Sequence, residues 1–324
     1  MQRKILYMRR LLLIFILLMS CGMLRAEGVV VCDTFLYATH DGEELFMDRY
    51  MLEEDAESPR PCMIFAFGGG FAQGVRNHEY YTIYFDRLAR AGIVAVSIDY
   101  RLGLKNLRAD GGVVAMIGAF DNAVNIAVED MYAATNFVIN NAEEWGVDTS
   151  KIMISGSSAG AITAVQAEWM RCNANPRAAV LPEGFQYAGI VSCAGAIFSL
   201  DGRPKFDTTP APMLLFHGTS DSNVPYGHAS MFGVGFYGSE YIATQLDKLD
   251  APYWFYSAEY VDHKMAGTPL IYQCDLILQF INDFVIRGEQ LRIRTEATLL
   301  DGTKQPTRFR VMDYIKTNYA RKQQ

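Results

Sequence analysis

A chain of 324 residues, half of them hydrophobic and a fifth charged, can bury one large core, and no internal repeat or long low-complexity stretch divides it. Its formal net charge of −7 excludes the electrostatic footprint of a nucleic-acid binder, and its six cysteines lack metal-site spacing. The first segment stands apart. Arg3, Lys4, Arg9 and Arg10 precede the apolar run LLLIFILLM at 11–19, and small residues follow before Ala26-Glu27. This pattern predicts an export signal over 1–26 of bacterial type, its apolar run short of the ~20 residues a spanning helix needs. Cleavage after Ala26 would release a soluble periplasmic or extracellular protein. The alternative, a loose lipoprotein box at Leu18-Met19-Ser20-Cys21, would lipidate Cys21 and hold the chain at a membrane surface. Cys32, Cys62, Cys172, Cys193 and Cys274 then remain, expected to be mostly buried apolar residues with at most one or two disulfides.

Beyond the signal, 29–38 and 44–51 flank Asp41-Gly42 and predict an antiparallel hairpin. Continuous apolar runs follow at 62–67, 93–99, 151–155, 187–193, 212–218 and 252–258, of the kind a parallel sheet buries on both faces. Helical stretches at 129–145, 161–172 and 241–249 alternate with them. The expected fold is therefore α/β, about eight strands in a mostly parallel sheet behind an antiparallel hairpin, with helices on both faces. A single domain is expected over 27–288, with a charged C-terminal extension at 289–324. The apolar segment 111–120 reads either as buried chain or as a lid.

The run 151–166 breaks at Gly156-Ser157-Ser158-Ala159-Gly160, a G-x-S-x-G between a buried strand and a helix former. A serine in such a turn needs residues without bulk two positions before and after it, which Gly156 and Gly160 supply. Ser158 is thus the candidate nucleophile. A serine hydroxyl needs a base, and there are five histidines. His40 lies in the hairpin and His78 after the glycine run, while His217 reads as a packed strand-end residue. His228 is an alternative, but His263, in a loop leaving the last apolar run, is the favoured base. Asp221, just past the strand at 212–217, is the favoured partner for that histidine; Asp262 is a rival, and Asp247 and Asp250 read as helix-end residues. Phe67-Gly68-Gly69-Gly70-Phe71 ends another strand, and its backbone N–H groups at Gly69 and Gly70, with that of Ala159, are the candidate oxyanion donors. The loop from Asp221 to Tyr241 is rich in glycine and aromatics. Tyr226, Phe232, Phe236 and Tyr237, with Phe71, are the candidate substrate contacts.

With FGGGF at 67–71, Asp99-Tyr100-Arg101, GSSAG at 156–160, HGTSD at 217–221 and the loop around His263, the chain resembles α/β-hydrolases of the carboxylesterase and hormone-sensitive-lipase-like group over roughly 30–290. The order Ser158, Asp221, His263 is that of the same architecture. The resemblance implies ester hydrolysis through an acyl-enzyme, with no metal or organic cofactor, on a small-molecule or carbohydrate-linked ester such as an acetyl or feruloyl group of a polysaccharide. It also implies that Asp99 and Arg101 brace loops. Phe67 departs from the histidine usual before the three glycines, so some other support must hold that loop. Three alternatives are a serine peptidase, an interfacial lipase and a non-catalytic binding protein of the same fold; the oligomeric state is not legible.

Overall fold

The computed structural model describes residues 28–40, 42–53, 58–107 and 112–298. The export segment with Cys21, Asp41, and positions 299–324 of the expected extension lie outside the described residues. β1 (Val30–His40) and β2 (Glu43–Leu52) pair antiparallel across a turn where Gly42 takes φ 85°. β2 then pairs antiparallel with β4 (Val94–Ile98), which lies beside β3 (Arg60–Ala66). From there every pairing in the main sheet is parallel: β3 with β5 (Val147–Ser157), β5 with β6 (Gly189–Cys193), and β6 with β8 (Met213–Gly218). β8 pairs with β11 (Tyr253–Glu259). Each of the eight strands expected from the sequence is present. β4, β6 and β8 are buried along their whole length, which is why they read as continuous apolar runs and not as alternating ones.

A ninth strand completes the sheet. β12 (Arg292–Thr298) runs parallel to β11, so the order is β1-β2-β4-β3-β5-β6-β8-β11-β12. The boundary expected at 288 therefore has to move, because 292–298 is sheet and not extension. The segment looked like a charged tail for a physical reason: as an edge strand it alternates exposed and half-buried residues, Arg292, Arg294 and Glu296 among them. Arg294 binds the Asp247 carboxylate at 2.7 Å and the Tyr253 hydroxyl at 2.7 Å.

Helices cover both faces. α1 (Glu79–Arg90) follows the glycine loop, and α2 (Gly112–Asn140) runs for 29 residues, burying Phe120, Val124, Val128 and Met131. Of the segment 111–120, residues 112–120 are thus the start of a helix, with Val113 and Val114 exposed at its tip and Phe120 buried. α3 (Ala159–Cys172) is the central helix, since twelve of its fourteen residues are buried. Its buried Glu168 is satisfied by Arg171 at 2.8 Å and by the Ala211 N–H at 2.7 Å. A second sheet was not legible in the sequence: β7 (Ala196–Ser199), β9 (His228–Met231) and β10 (Val234–Gly238) pair antiparallel in the order β7-β10-β9. α4 (Ser239–Lys248) continues directly from β10.

Candidate active site

Four loops meet at the carboxyl ends of parallel strands, where open α/β sheets bind ligands. The first is the turn from β5 into α3. Ser158 holds φ 51° and ψ −115° there, a conformation L-residues avoid unless the surroundings enforce it. The glycines enforce it. A Cβ on Gly156 would sit 2.2 Å from the Gly160 carbonyl group, and one on Gly160 would sit 2.0 Å from the Ala66 oxygen. Strand, turn and helix therefore close only with hydrogen at both positions. The Ser158 N–H donates to the Cys193 carbonyl at 2.9 Å, and no side chain caps α3, which leaves the Ala159 N–H among the unsatisfied donors of a helix start.

The second and third loops carry an acid and a base, joined by short contacts. Thr219 N–H donates to the Ala258 carbonyl at 2.9 Å, Ser220 N–H to Val261 at 3.0 Å, and Tyr260 N–H to the Thr219 hydroxyl at 2.8 Å. Gly218 permits this approach, because a Cβ there would lie 2.2 Å from the Val261 oxygen. Asp221 leaves β8 and His263 leaves β11, adjacent strands in parallel register, so the two side chains meet. Asp221 Oδ2 lies 2.7 Å from His263 Nδ1, and His263 Nε2 lies 2.8 Å from Ser158 Oγ. Asp221 Oδ1 accepts the Asn223 and Val224 N–H groups at 2.8 and 2.9 Å. Its side chain is fully buried. Burial by itself would push its pKa up, but the imidazoles of His263 and His217 outweigh that and hold it well below the usual carboxylate range.

His217 is a partner that sequence reasoning missed. It is fully buried, as a strand-end residue should be, yet its Nε2 lies 3.5 Å from Asp221 Oδ2 and 3.2 Å from the Val224 carbonyl, while Nδ1 lies 2.8 Å from the Ser239 hydroxyl. Its four-residue spacing from Asp221 was visible, but not that the loop folds back over the ring. The remaining histidines and acids lie elsewhere. His40 Nε2 is 3.5 Å from Asp130, His78 Nδ1 accepts the Tyr80 N–H at the start of α1, and His228 is exposed on β9. Asp262 caps the turn that carries His263 by accepting the Lys264 N–H at 3.1 Å.

The fourth loop is the glycine run after β3. Gly69 takes φ 142° and Gly70 φ 63°, and a Cβ on Gly69 would be 1.9 Å from the Gln73 oxygen. The Gly69 carbonyl accepts from Ala72 and Gln73, and the Gly68 N–H donates to the Tyr81 hydroxyl at 3.2 Å. The run lies against the serine: a Cβ on Gly68 would be 3.2 Å from that of Ser158. Phe67 replaces a polar support with an apolar one. Its ring is 4.5 Å from that of Tyr100, whose hydroxyl donates to the Phe67 carbonyl at 2.8 Å. Asp99 binds Arg76 at 2.6 Å and Arg101 binds Asp130 at 2.8 Å, so both brace loops. Burial raises the Asp99 pKa despite the guanidinium.

The candidate substrate contacts separate. Phe71 has φ 58° and is completely buried against Tyr100 and Phe120, and Tyr237 is buried between His228 and Tyr241. Neither offers surface to a ligand, which corrects the expectation for both; strand alternation turns Tyr237 to the face opposite Phe236. Tyr226 is half-buried, its ring beside His217 and Phe255 and its hydroxyl 2.8 Å from that of Ser257. Phe232, at the β9–β10 turn, is 97% exposed. Phe236 joins a cluster with Phe120 and Phe198, which reaches Phe71 through Phe120. Phe120 and Phe198 were missed because nothing in their local sequence reports this clustering. Among the described residues no group of three or more His, Cys, Asp and Glu is arranged to hold a metal ion.

The BD-FAE family model matches residues 47–175, a stretch that includes Gly69, Gly70 and Ser158 and ends before Asp221 and His263. The chain is 33% identical over 119 residues to a fumonisin B1 esterase of Sphingopyxis macrogoltabida, covering 36% of this chain and 21% of that protein. It is 28% identical over 130 residues to gut esterase 1 of Caenorhabditis briggsae, covering 40% of this chain and 22% of the other. It thus spans about a fifth of the length of these curated relatives. Among solved structures, esterase 2 of Thermogutta terrifontis is similar in its form phosphoramylated by tabun, with a TM-score of 0.57 and 22% identity over 80% of this chain and 96% of that one. Its apo form gives a TM-score of 0.55 over 82% and 96%.

Proposed function

We propose that this chain, an α/β-hydrolase, is an exported serine carboxylesterase. The observation that carries the reading is the hydrogen-bonded series Ser158 Oγ, His263 Nε2, His263 Nδ1 and Asp221 Oδ2 beside a glycine loop. His263 takes the Ser158 proton as Oγ bonds to the ester carbonyl carbon. Asp221 holds the ring in the tautomer that presents a bare Nε2 and stabilises the imidazolium. The N–H groups of Gly69, Gly70 and Ala159 meet the oxyanion. The carbon–oxygen bond to the alcohol then breaks, His263 returns the proton to the leaving oxygen, and water repeats the two steps on the acyl-enzyme.

The substrate class in this proposal is an acetyl or feruloyl ester carried by a polysaccharide. Export directed by 1–26 would bring the enzyme to such polymers, and the half-buried Phe236, backed by the buried Phe120 and Phe198, supplies an aromatic surface that reaches the glycine loop through Phe71. A second reading, hydrolysis at an apolar interface, draws on Val113 and Val114, which are 61% and 84% exposed at the tip of α2. Wild type and Ser158→Ala are to be assayed on aryl acetate, long-chain aryl ester, feruloyl ester and peptide substrates. The expected result is hydrolysis of the acetyl and feruloyl esters, lost by about three powers of ten or more in the variant with the melting temperature unchanged. A variant retaining a tenth of the activity would reject Ser158 as nucleophile, and a preference for emulsified long-chain esters would favour the second reading. Mass spectrometry of the mature N-terminus tests export: Glu27 indicates soluble release, a diacylated Cys21 a lipoprotein, and an intact Met1 or Met8 neither.

A further inference from the structure

A cleft of about 330 Å³ opens on the outer side of α4, between that helix, β9 and the loop that follows β7. Its volume is at the lower end of the range for ligand sites. Three cations face it, Arg203 and Lys205 from the loop and Lys248 from the helix, against the single carboxylate of Glu240. This excess of positive charge stands on a chain whose formal net charge is −7. No ion pair joins any of the three cations to another described residue. The floor is polar: Gln245 is more than nine-tenths buried as a residue and lines the cleft, and no described protein group is hydrogen-bonded to its amide, which faces the open cleft. An amide that the protein leaves unengaged at the cleft surface offers both donors and an acceptor to the hydroxyls of a bound polar ligand.

The cleft is also held in shape. Tyr241 donates its hydroxyl to the Pro204 carbonyl at 2.9 Å, while Trp169 Nε1 and Asn173 Nδ2 donate to the Lys205 carbonyl at 2.8 and 2.9 Å. The loop that presents Arg203 and Lys205 is therefore pinned to α4 on one side and α3 on the other. The Tyr241 ring and His228, which stacks on Tyr237 with an interplanar angle of 3°, give the wall an aromatic surface.

We propose that this cleft binds an acidic sugar, a hexuronate unit of a polysaccharide. Arg203, Lys205 and Lys248 meet its carboxylate through charge-assisted hydrogen bonds. The Gln245 amide and the Glu240 carboxylate pair with its hydroxyls, and the aromatic wall receives the face of the ring. Glu240 argues against a bare inorganic anion, which it would repel, whereas a sugar carries hydroxyl donors for it. The site lies behind the reacting centre: Ser239, the first residue of α4, contacts His217, which backs Asp221. The proposal does not depend on the esterase reading.

Calorimetric titration of the full chain carrying Ser158→Ala tests it, with digalacturonate as probe and galactobiose and inorganic sulfate as controls. The expected result is saturable binding of digalacturonate that weakens with added salt, and no saturable binding of galactobiose. Arg203→Ala and Lys248→Ala should each weaken it by about tenfold, and Gln245→Leu several-fold, with unchanged melting temperatures. The proposal is overturned if digalacturonate gives no binding heat, if galactobiose or sulfate binds as tightly, or if the folded variants bind as the parent does. In the Ser158 background, Arg203→Ala should still hydrolyse an aryl acetate at the parent rate. A chain that binds digalacturonate but hydrolyses no ester would defeat only the esterase proposal, and one that hydrolyses esters without binding the acid would defeat only this one.

Discussion

At the scale of single residues, Asp221 is the most informative position. Its carboxyl is buried, receives two backbone N–H groups and lies between two imidazoles. Asp221→Asn should preserve the fold near neutral pH while lowering ester hydrolysis by about 10³- to 10⁴-fold, because the amide favours the wrong histidine tautomer. Its effect on stability has a definite sign. The folded carboxyl titrates below its unfolded value, so the stability it contributes is fully present above about pH 4 and is lost as pH falls toward the folded pKa. Denaturant titrations should therefore show wild type more stable than Asp221→Asn at pH 6, with the gap closing progressively below about pH 4. A gap that stays constant down to strong acid would mean that the carboxyl is not held ionised by its neighbours. The aspartate and both histidines were individually visible in the sequence as HGTSD and the loop at His263. That His217 shares the acid was not, since its contact depends on how residues 218–224 turn back over the strand end.

At the scale of elements, the strand–turn–helix unit makes a sharp steric claim. Gly160 has no room for a methyl group, whereas Gly70 faces open space and would meet only the strain of φ 63°. Gly160→Ala should thus cost about 3 kcal/mol or more, since α3 must move off β3. Gly70→Ala should cost about 1–2 kcal/mol, the strain of placing an L-residue in the left-handed region. Thermal or urea unfolding of the two variants checks the difference, and equal losses would show that the turn relaxes more easily than its geometry implies. This turn was legible because its cause is local: five consecutive residues between an apolar run and a helix former. The three-stranded β7-β10-β9 sheet was not, since β9 and β10 are short, β10 is rich in glycine, and β7 joins them from some thirty residues upstream.

At the scale of the whole molecule, β12 closes an edge of β11 that would otherwise expose unpaired backbone groups. Truncation after Gly288 should lower the melting temperature and promote aggregation, read by light scattering; an unchanged, monodisperse product would return 289–298 to the status of an appendage. The described cysteines make a second global prediction. Cys62, Cys172, Cys193 and Cys274 are buried, and neither these four nor Cys32 forms a disulfide, with burial pushing the Cys274 thiol up to about 11 and Cys172 up to about 12. Under native conditions only the exposed Cys32 among them should be alkylated by iodoacetamide, and slowly, because desolvation and the carboxylates of Asp48 and Asp33 raise its pKa too. Modification of any buried one at the rate of Cys32 would contradict the packing of the core. The alternation of buried strands and helices, the serine turn and the glycine loop are written along the chain, because apolar periodicity and the sterics of glycine act between residues close in the chain. That β8 lies against β11, that His217 stands behind Asp221, that Phe71 and Tyr237 turn inward, and that Arg203, Lys205 and Lys248 share one cleft all follow from the folded chain. Such neighbours are fixed by strand order and by loops folding across the sheet, and no pattern along the chain encodes which distant segments those will bring together.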